Sequence, residues 1–217
     1  VLTGSGGDDL LVGGQGNDTL TSIGVNLGYT QIDNTILPSK GYKLGIGWEG
    51  FGLLGGDERF DKYNLNANVY VPLYRDLKDR PWVLEFRGDA GITEDAPFYE
   101  AFFAGGFNSL RGFRFRGVSP RSGPDDDAIG GDYILTGTAQ LGFPLYQETL
   151  RGVVFSDFGS VSENADLGVI RVSAGAGIRL TLDPLGGLPL AFDLAWPINE
   201  RDEDDRQVFS FSLGILQ

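Results

Sequence analysis

Residues Ile170–Leu182 read I-R-V-S-A-G-A-G-I-R-L-T-L, and the reading of this stretch decides the fold. Val172, Ala174, Ala176, Ile178 and Leu180 share one face, while Arg171, Ser173, Gly175, Gly177 and Arg179 share the other. A period of two marks an extended strand with unlike faces. Length narrows the choice. Soluble strands typically run about five or six residues, whereas a tilted strand that crosses a bilayer needs about 9–11.

The same pattern recurs on both sides of this stretch. Leu65, Ala67, Val69 and Val71 oppose Asn64, Asn66, Asn68 and Tyr70, and Leu44, Ile46 and Trp48 oppose Lys43, Gly45, Gly47 and Glu49. Leu84, Phe86 and Ala90 oppose Glu85, Arg87 and Asp89. Further alternating segments lie near 22–32, 133–143, 150–160, 188–197 and 207–217, which predicts about nine strands. A soluble antiparallel sandwich also alternates. Long strands, many strand glycines and a charged inner face favour an antiparallel transmembrane β-barrel, all-β, with lipid outside and water inside. Bacterial single-chain barrels have even strand numbers, so nine predicts part of a larger barrel.

Short connections (33–41, 74–81, 144–149, 183–187) alternate with longer, mostly acidic ones (53–61, 94–132, 161–169, 199–206). In such barrels short turns face the periplasm, which predicts a bacterial-type outer membrane and a periplasmic C-terminus. The loop 94–132 stands apart. Between Pro97 and Pro120 it is rich in Phe, Gly and Arg, a composition that demands burial and partners rather than disorder.

Composition bounds the chemistry. The 217 residues contain no Cys, Met or His, which excludes disulfides, thiolate chemistry and histidine-based catalysis. The net charge of −13 argues against nucleic-acid binding. No G-x-S-x-G elbow or phosphate loop is present, and the acidic runs Asp125–Asp127 and Asp202–Asp205 read as solvated loop faces, so no enzyme is expected. A sequence with neither initiator Met nor signal peptide reads as a processed product or an excised piece.

The ordered landmarks carry a resemblance. Asp33-Asn34 with Pro38-Ser39-Lys40-Gly41, then Tyr70-Val71-Pro72-Leu73, then Pro97-Phe98-Tyr99-Glu100, Gly105-Gly106 and Leu110-Arg111-Gly112-Phe113 follow one another. Phe155-Ser156-Asp157-Phe158-Gly159, Pro184-Leu185-Gly186 and Phe209-Ser210-Phe211-Ser212-Leu213-Gly214 complete the set. Residues 22–217 thereby resemble the C-terminal barrel portion of the BamA/TamA-type outer-membrane protein assembly family, also called the bacterial surface antigen family.

The resemblance implies a lumen-inserted loop locked by Arg111, Gly112 and Phe113 against Phe155, Asp157 and Gly159. It also implies a terminal seam strand carrying Phe209, Phe211 and Gly214, which templates client strands by β-augmentation. Outer-membrane lipid and client outer-membrane or secreted proteins are the partners it implies, with self-association or a missing barrel half as further options. Where family members often carry an acid in the strand after the loop, this chain has Gly142, which predicts a reduced ionic network. The chain ends Leu216-Gln217 where the family usually ends in an aromatic, and periplasmic POTRA domains and a first barrel half are absent from the sequence.

Residues 1–21 carry a different signal. Two tandem nonapeptides, Gly4–Val12 and Gly13–Thr21, resemble the RTX pattern G-G-x-G-x-D-x-hydrophobic-x. Asp9 and Asp18 would supply hard oxygen ligands to calcium. Two repeats are too few for a stable solenoid, so weak or no calcium binding is expected, and no other cofactor. A second functional reading follows: a surface-displayed calcium-binding protein that uses the barrel as an anchor. A third is an inactive fragment.

Overall fold

A computed structural model describes residues 8–11, 18–35, 37–53, 55, 58–124, 126–147, 149–182 and 188–213. The strands are β1 (Asp8–Leu11), β2 (Asp18–Ile32), β3 (Gly41–Phe51), β4 (Asp61–Arg75), β5 (Pro81–Thr93), β6 (Gly112–Phe113) and β7 (Arg121–Ser122). They continue with β8 (Asp127–Ala128), β9 (Tyr133–Tyr146), β10 (Leu150–Ser162), β11 (Arg171–Leu182), β12 (Leu188–Asn199), β13 (Arg206–Gln207) and β14 (Phe209–Leu213). No helix occurs among the described residues.

One antiparallel sheet forms the wall, in the order β1-β2-β3-β4-β5-β9-β10-β11-β12-β14. The nine expected strands are all present, with the short β1 as an added tenth at one edge. Register places the alternation as the sequence demands. Leu65, Ile178, Leu194 and Trp196 are exposed on the outer face, while Asp157, Ser173 and Asp193 are buried on the inner one. An apolar face left bare over a polar, packed interior is the arrangement of a barrel wall in lipid.

Boundaries differ at the two ends. The strand expected near 22–32 begins at Asp18, inside the second nonapeptide, and Asp8–Leu11 pairs antiparallel with Asp18–Thr21. The nonapeptides thus contribute two antiparallel segments, Asp8–Leu11 and Asp18–Thr21, that extend the sheet. At the other end, the strand expected over 207–217 is split: Arg206–Gln207 leave the wall as β13, and Phe209–Leu213 pair with Leu190–Leu194. Gly214 lies outside the described residues, as do the side chains of Asp9 and Asp18.

Two short turns are built on aspartates. Asp33 accepts hydrogen bonds from the Ser39 and Lys40 amides at 2.9 and 3.1 Å and from the Ser39 hydroxyl, closing the 33–41 connection. These donors lower its carboxyl pKa to about 2. Gly41, which ends that turn, has φ +115°, and a Cβ there would sit 1.9 Å from the Gln31 carbonyl oxygen. Only glycine fits. Asp76 closes the next short turn, accepting from the Lys78 and Arg80 amides at 2.9 and 3.0 Å.

Candidate functional site

The loop 94–132 folds inward against the inner face of β9 and β10. Its apolar residues Ala104, Leu110, Phe113 and Val118 are buried and form a cluster with Val161 of β10, flanked by Phe102 and Ile134. Two isolated bridges, Phe102–Gly131 and Ala104–Val118, pin the loop to itself, and β6 pairs with β13. A segment this apolar stays ordered because it builds a small core of its own inside the lumen. Phe98 and Phe115 are the exceptions, both exposed.

Arg111 projects from this core onto the wall. Its backbone N–H and Nε donate to Asp157 Oδ2 at 3.0 and 2.8 Å, and Nη2 donates to Asp157 Oδ1 at 2.8 Å. The side chains are 2% and 0% exposed, so the pair is shielded from water. The guanidinium lies 3.3 Å from the centroid of the Phe155 ring, two residues before Asp157 on the same face of β10. A planar fork with a ring beneath it is a fit that lysine cannot reproduce.

Gly112 has φ +93°, and a Cβ there would lie 3.2 Å from Ser173 Cβ, so the turn that presents Arg111 requires glycine. Phe113 is fully buried in the loop core. Gly159 lies one step further along the inner face of β10, opposite Thr136 and Arg171, and does not touch Arg111 through a side chain. Phe209 and Phe211 are exposed on the outer face of β14, with Phe211 packed 5.1 Å from Phe192. They belong to the bare apolar outer face of the wall.

The network extends beyond the expected pair. Arg111 Nη1 also donates to Asp193 Oδ2 at 3.2 Å and to Gln140 Oε1 at 3.0 Å. Asp193 in turn accepts from Arg179 at 2.5 and 2.9 Å, and Gln140 donates to Glu85 at 3.1 Å. Two arginines and two aspartates therefore alternate as Asp157–Arg111–Asp193–Arg179, with charges balanced. The expectation of a reduced network, drawn from Gly142, is corrected. The strand after the loop contributes Gln140, two positions earlier, and the second acid comes from β12.

Residues 6–216 match the Omp85 superfamily domain. The chain belongs to the Omp85 superfamily. It is 28% identical over 229 residues to the outer membrane protein assembly factor BamA of Neisseria meningitidis serogroup B, covering 88% of this chain and 28% of that protein. The BamA of Neorickettsia risticii is 27% identical over 178 residues, covering 75% of this chain and 23% of the relative. In three dimensions the chain matches the crystal structure of BamA from Haemophilus ducreyi lacking POTRA domains 1-3. There the TM-score is 0.74 and the identity 26%, over 90% of this chain and 42% of that one. It spans about a quarter of the length of these curated relatives.

Within this Omp85 wall, sequence reasoning found Arg111 and Asp157 but missed Gln140, Arg179 and Asp193. The signal for Asp193 and Arg179 was present: each is a charged residue on the inner face of an otherwise small or apolar run, A-F-D-L-A and G-I-R-L-T. Their register, Gly177 opposite Asp193 and Arg179 opposite Ala191, sets the two charges on a diagonal across neighbouring strands. A Cβ at Gly177 would come within 1.8 Å of Asp193 Oδ1. The strand glycine is thus the space into which that carboxylate fits. Among the described residues, no group of three or more His, Cys, Asp or Glu side chains is arranged to hold a metal.

Proposed function

We propose that this chain is the C-terminal wall of an outer-membrane protein assembly barrel. Its R-G-F loop is held in the lumen by Arg111, and its terminal strand forms a seam that accepts client strands. The buried Arg111 fork on Asp157 is the observation that carries the reading. A barrel that served only as an anchor has no need for a guanidinium desolvated at this depth, because an apolar plug would be as stable. Membership of the Omp85 superfamily and likeness to BamA proteins support the same reading.

The work needs no catalytic group. Among the described residues no strand pairs with β14 on the side away from β12, and an extended client segment adds to such an edge by backbone hydrogen bonds. The loop packs on the inner face of the wall and pairs through β6 with the segment that leads into β14. On this reading the short turns lie in the periplasm, the long acidic loops lie outside the cell, and the C-terminus is periplasmic.

The test is client folding in vesicles. The chain, inserted in phospholipid vesicles, should speed the folding of a small urea-unfolded outer-membrane barrel. Folding is followed by the change in gel mobility between folded and heat-denatured client. Arg111→Lys and Asp157→Asn should abolish the acceleration while the chain itself stays folded by the same criterion. Equal acceleration by parent and variants would overturn the proposal.

A further inference from the structure

The terminal strand leaves the wall at a definite point, for a definite reason. β14 pairs with Leu190–Leu194 of β12, and the Ala195 amide still donates to the Val208 carbonyl at 2.9 Å. The next donor on that edge would come from residue 197, which is proline and has no N–H. Among the described residues, no strand pairs with Trp196–Asn199 on that side.

The chain goes instead to the lumen loop. Arg206–Gln207 pair with Phe113 and Gly112, the last two residues of the R-G-F motif. The Arg114 amide donates to the Asp205 carbonyl at 2.8 Å, and the Asp205 amide donates to Gly117 at 3.2 Å. Arg121 of the same loop reaches the Asp205 carboxylate at 3.0 Å.

A second buried ion pair anchors this junction. Arg171, at the outer end of β11, forks onto Asp204 with two contacts of 2.9 Å, and both side chains are 0% exposed. Asp204 also accepts from the Arg201 amide at 2.7 Å, which fixes the turn that delivers residues 205–207 to β6. The pair touches neither Arg111 nor Asp157. It holds the segment between the wall and the loop.

We infer that the lumen loop and the outer end of the terminal strand form one mechanical unit, joined through β6–β13 and anchored by Arg171–Asp204. Pro197 denies this end its partner on the wall, so the loop supplies that partner. Withdrawal of the loop then frees residues 205–208 and lengthens the unpaired edge of the terminal strand towards its outer end. Arg171 and Asp204 are positioning residues in this unit. The inference deepens the reading of loop and seam as the working parts of an assembly barrel. Its test needs no client, so the two can fail separately.

Peptide-resolved hydrogen exchange on the vesicle-inserted chain tests it. Asp157→Asn, which breaks the loop's hold on β10 without altering any residue of β6 or β13, should raise exchange over residues 206–213 on the order of a hundredfold while β3 and β4 stay unchanged. Asp204→Asn should do the same. In the cysteine-free chain, a disulfide between Arg114→Cys and Asp205→Cys, introduced into Asp204→Asn, should restore protection when oxidised and lose it when reduced. Unchanged exchange over 206–213 in Asp157→Asn would overturn the inference. So would failure of the oxidised disulfide to restore protection, an outcome that also decides the matter if Asp204→Asn loosens the fold more widely.

Discussion

Replacing Asp157 by asparagine removes one charge and almost no volume from the inner face of the wall. Arg111 makes five hydrogen bonds in its pocket, three of them to Asp157. Bonds to charged groups contribute about 1.5–3 kcal/mol each, and breaking a buried pair from one side costs about 3–5 kcal/mol. An asparagine oxygen in the place of Oδ2 can keep two of the three bonds while its NH2 group faces the Nη2 donor, and Asp193 remains within 3.2 Å of the guanidinium. The cost should therefore fall at the low end, about 3 kcal/mol, which raises the population of the loop-released state on the order of a hundredfold. Trypsin added to vesicle-inserted protein reads that population through cleavage after Arg114 and Arg116, since cleavage follows the open fraction when reclosing is fast. The wall should remain folded by gel mobility while the loop is cut on the order of a hundred times faster. A cleavage rate within about twofold of the parent would refute the reasoning, because a solvated arginine has nothing to lose.

Other outcomes follow from the same geometry. Gly112→Ala forces a side chain into φ +93° and towards Ser173, so it should destabilise the docked loop by about 1–3 kcal/mol, seen as faster trypsin cleavage. Phe155→Leu keeps an apolar side chain under the guanidinium but removes the ring face. It should cost about 1–2 kcal/mol, measured by the same cleavage rate, and less than Asp157→Asn. The 33–41 turn should be insensitive to acid down to low pH. The Asp33 carboxyl lies at about 2 when folded, against about 3.9 in a free chain, so its cap is intact above the higher value and lost as pH falls through the lower. The Ser39 and Lys40 amide resonances should titrate with a midpoint near 2, and Asp33→Ala should abolish that titration.

The wall was legible because a period of two over long segments has one reading, and strand length then separates a membrane barrel from a sandwich. Ile178 and Arg179 land on opposite faces because they are neighbours in a strand, and no tertiary information was needed for that. The loop was legible through its composition, since Leu110, Phe113 and Val118 require a core and Arg111 requires an acid. Asp157 could be named because its spacing from Phe155 and Gly159 matches a motif. Asp193 and Arg179 could not be assigned to Arg111 in that way. Their meeting depends on the register between β11 and β12 and on the curvature that brings β12 opposite the loop, neither of which is local. The inward turn of Arg206–Gln207 was hidden for a related reason. The signals are weak: Gln207 is polar on the phase of Phe209 and Phe211, and Pro197 on the neighbouring strand lacks the amide that would hold them to the wall.

Arg111 and Asp157 either act as one unit or they do not, and a double-mutant cycle with Arg111→Gln and Asp157→Asn, read by trypsin cleavage of the lumen loop, measures which. The account predicts that the double variant is scarcely worse than either single one, with a coupling of about 2 kcal/mol or more. Additive effects, with a coupling near zero, would contradict it.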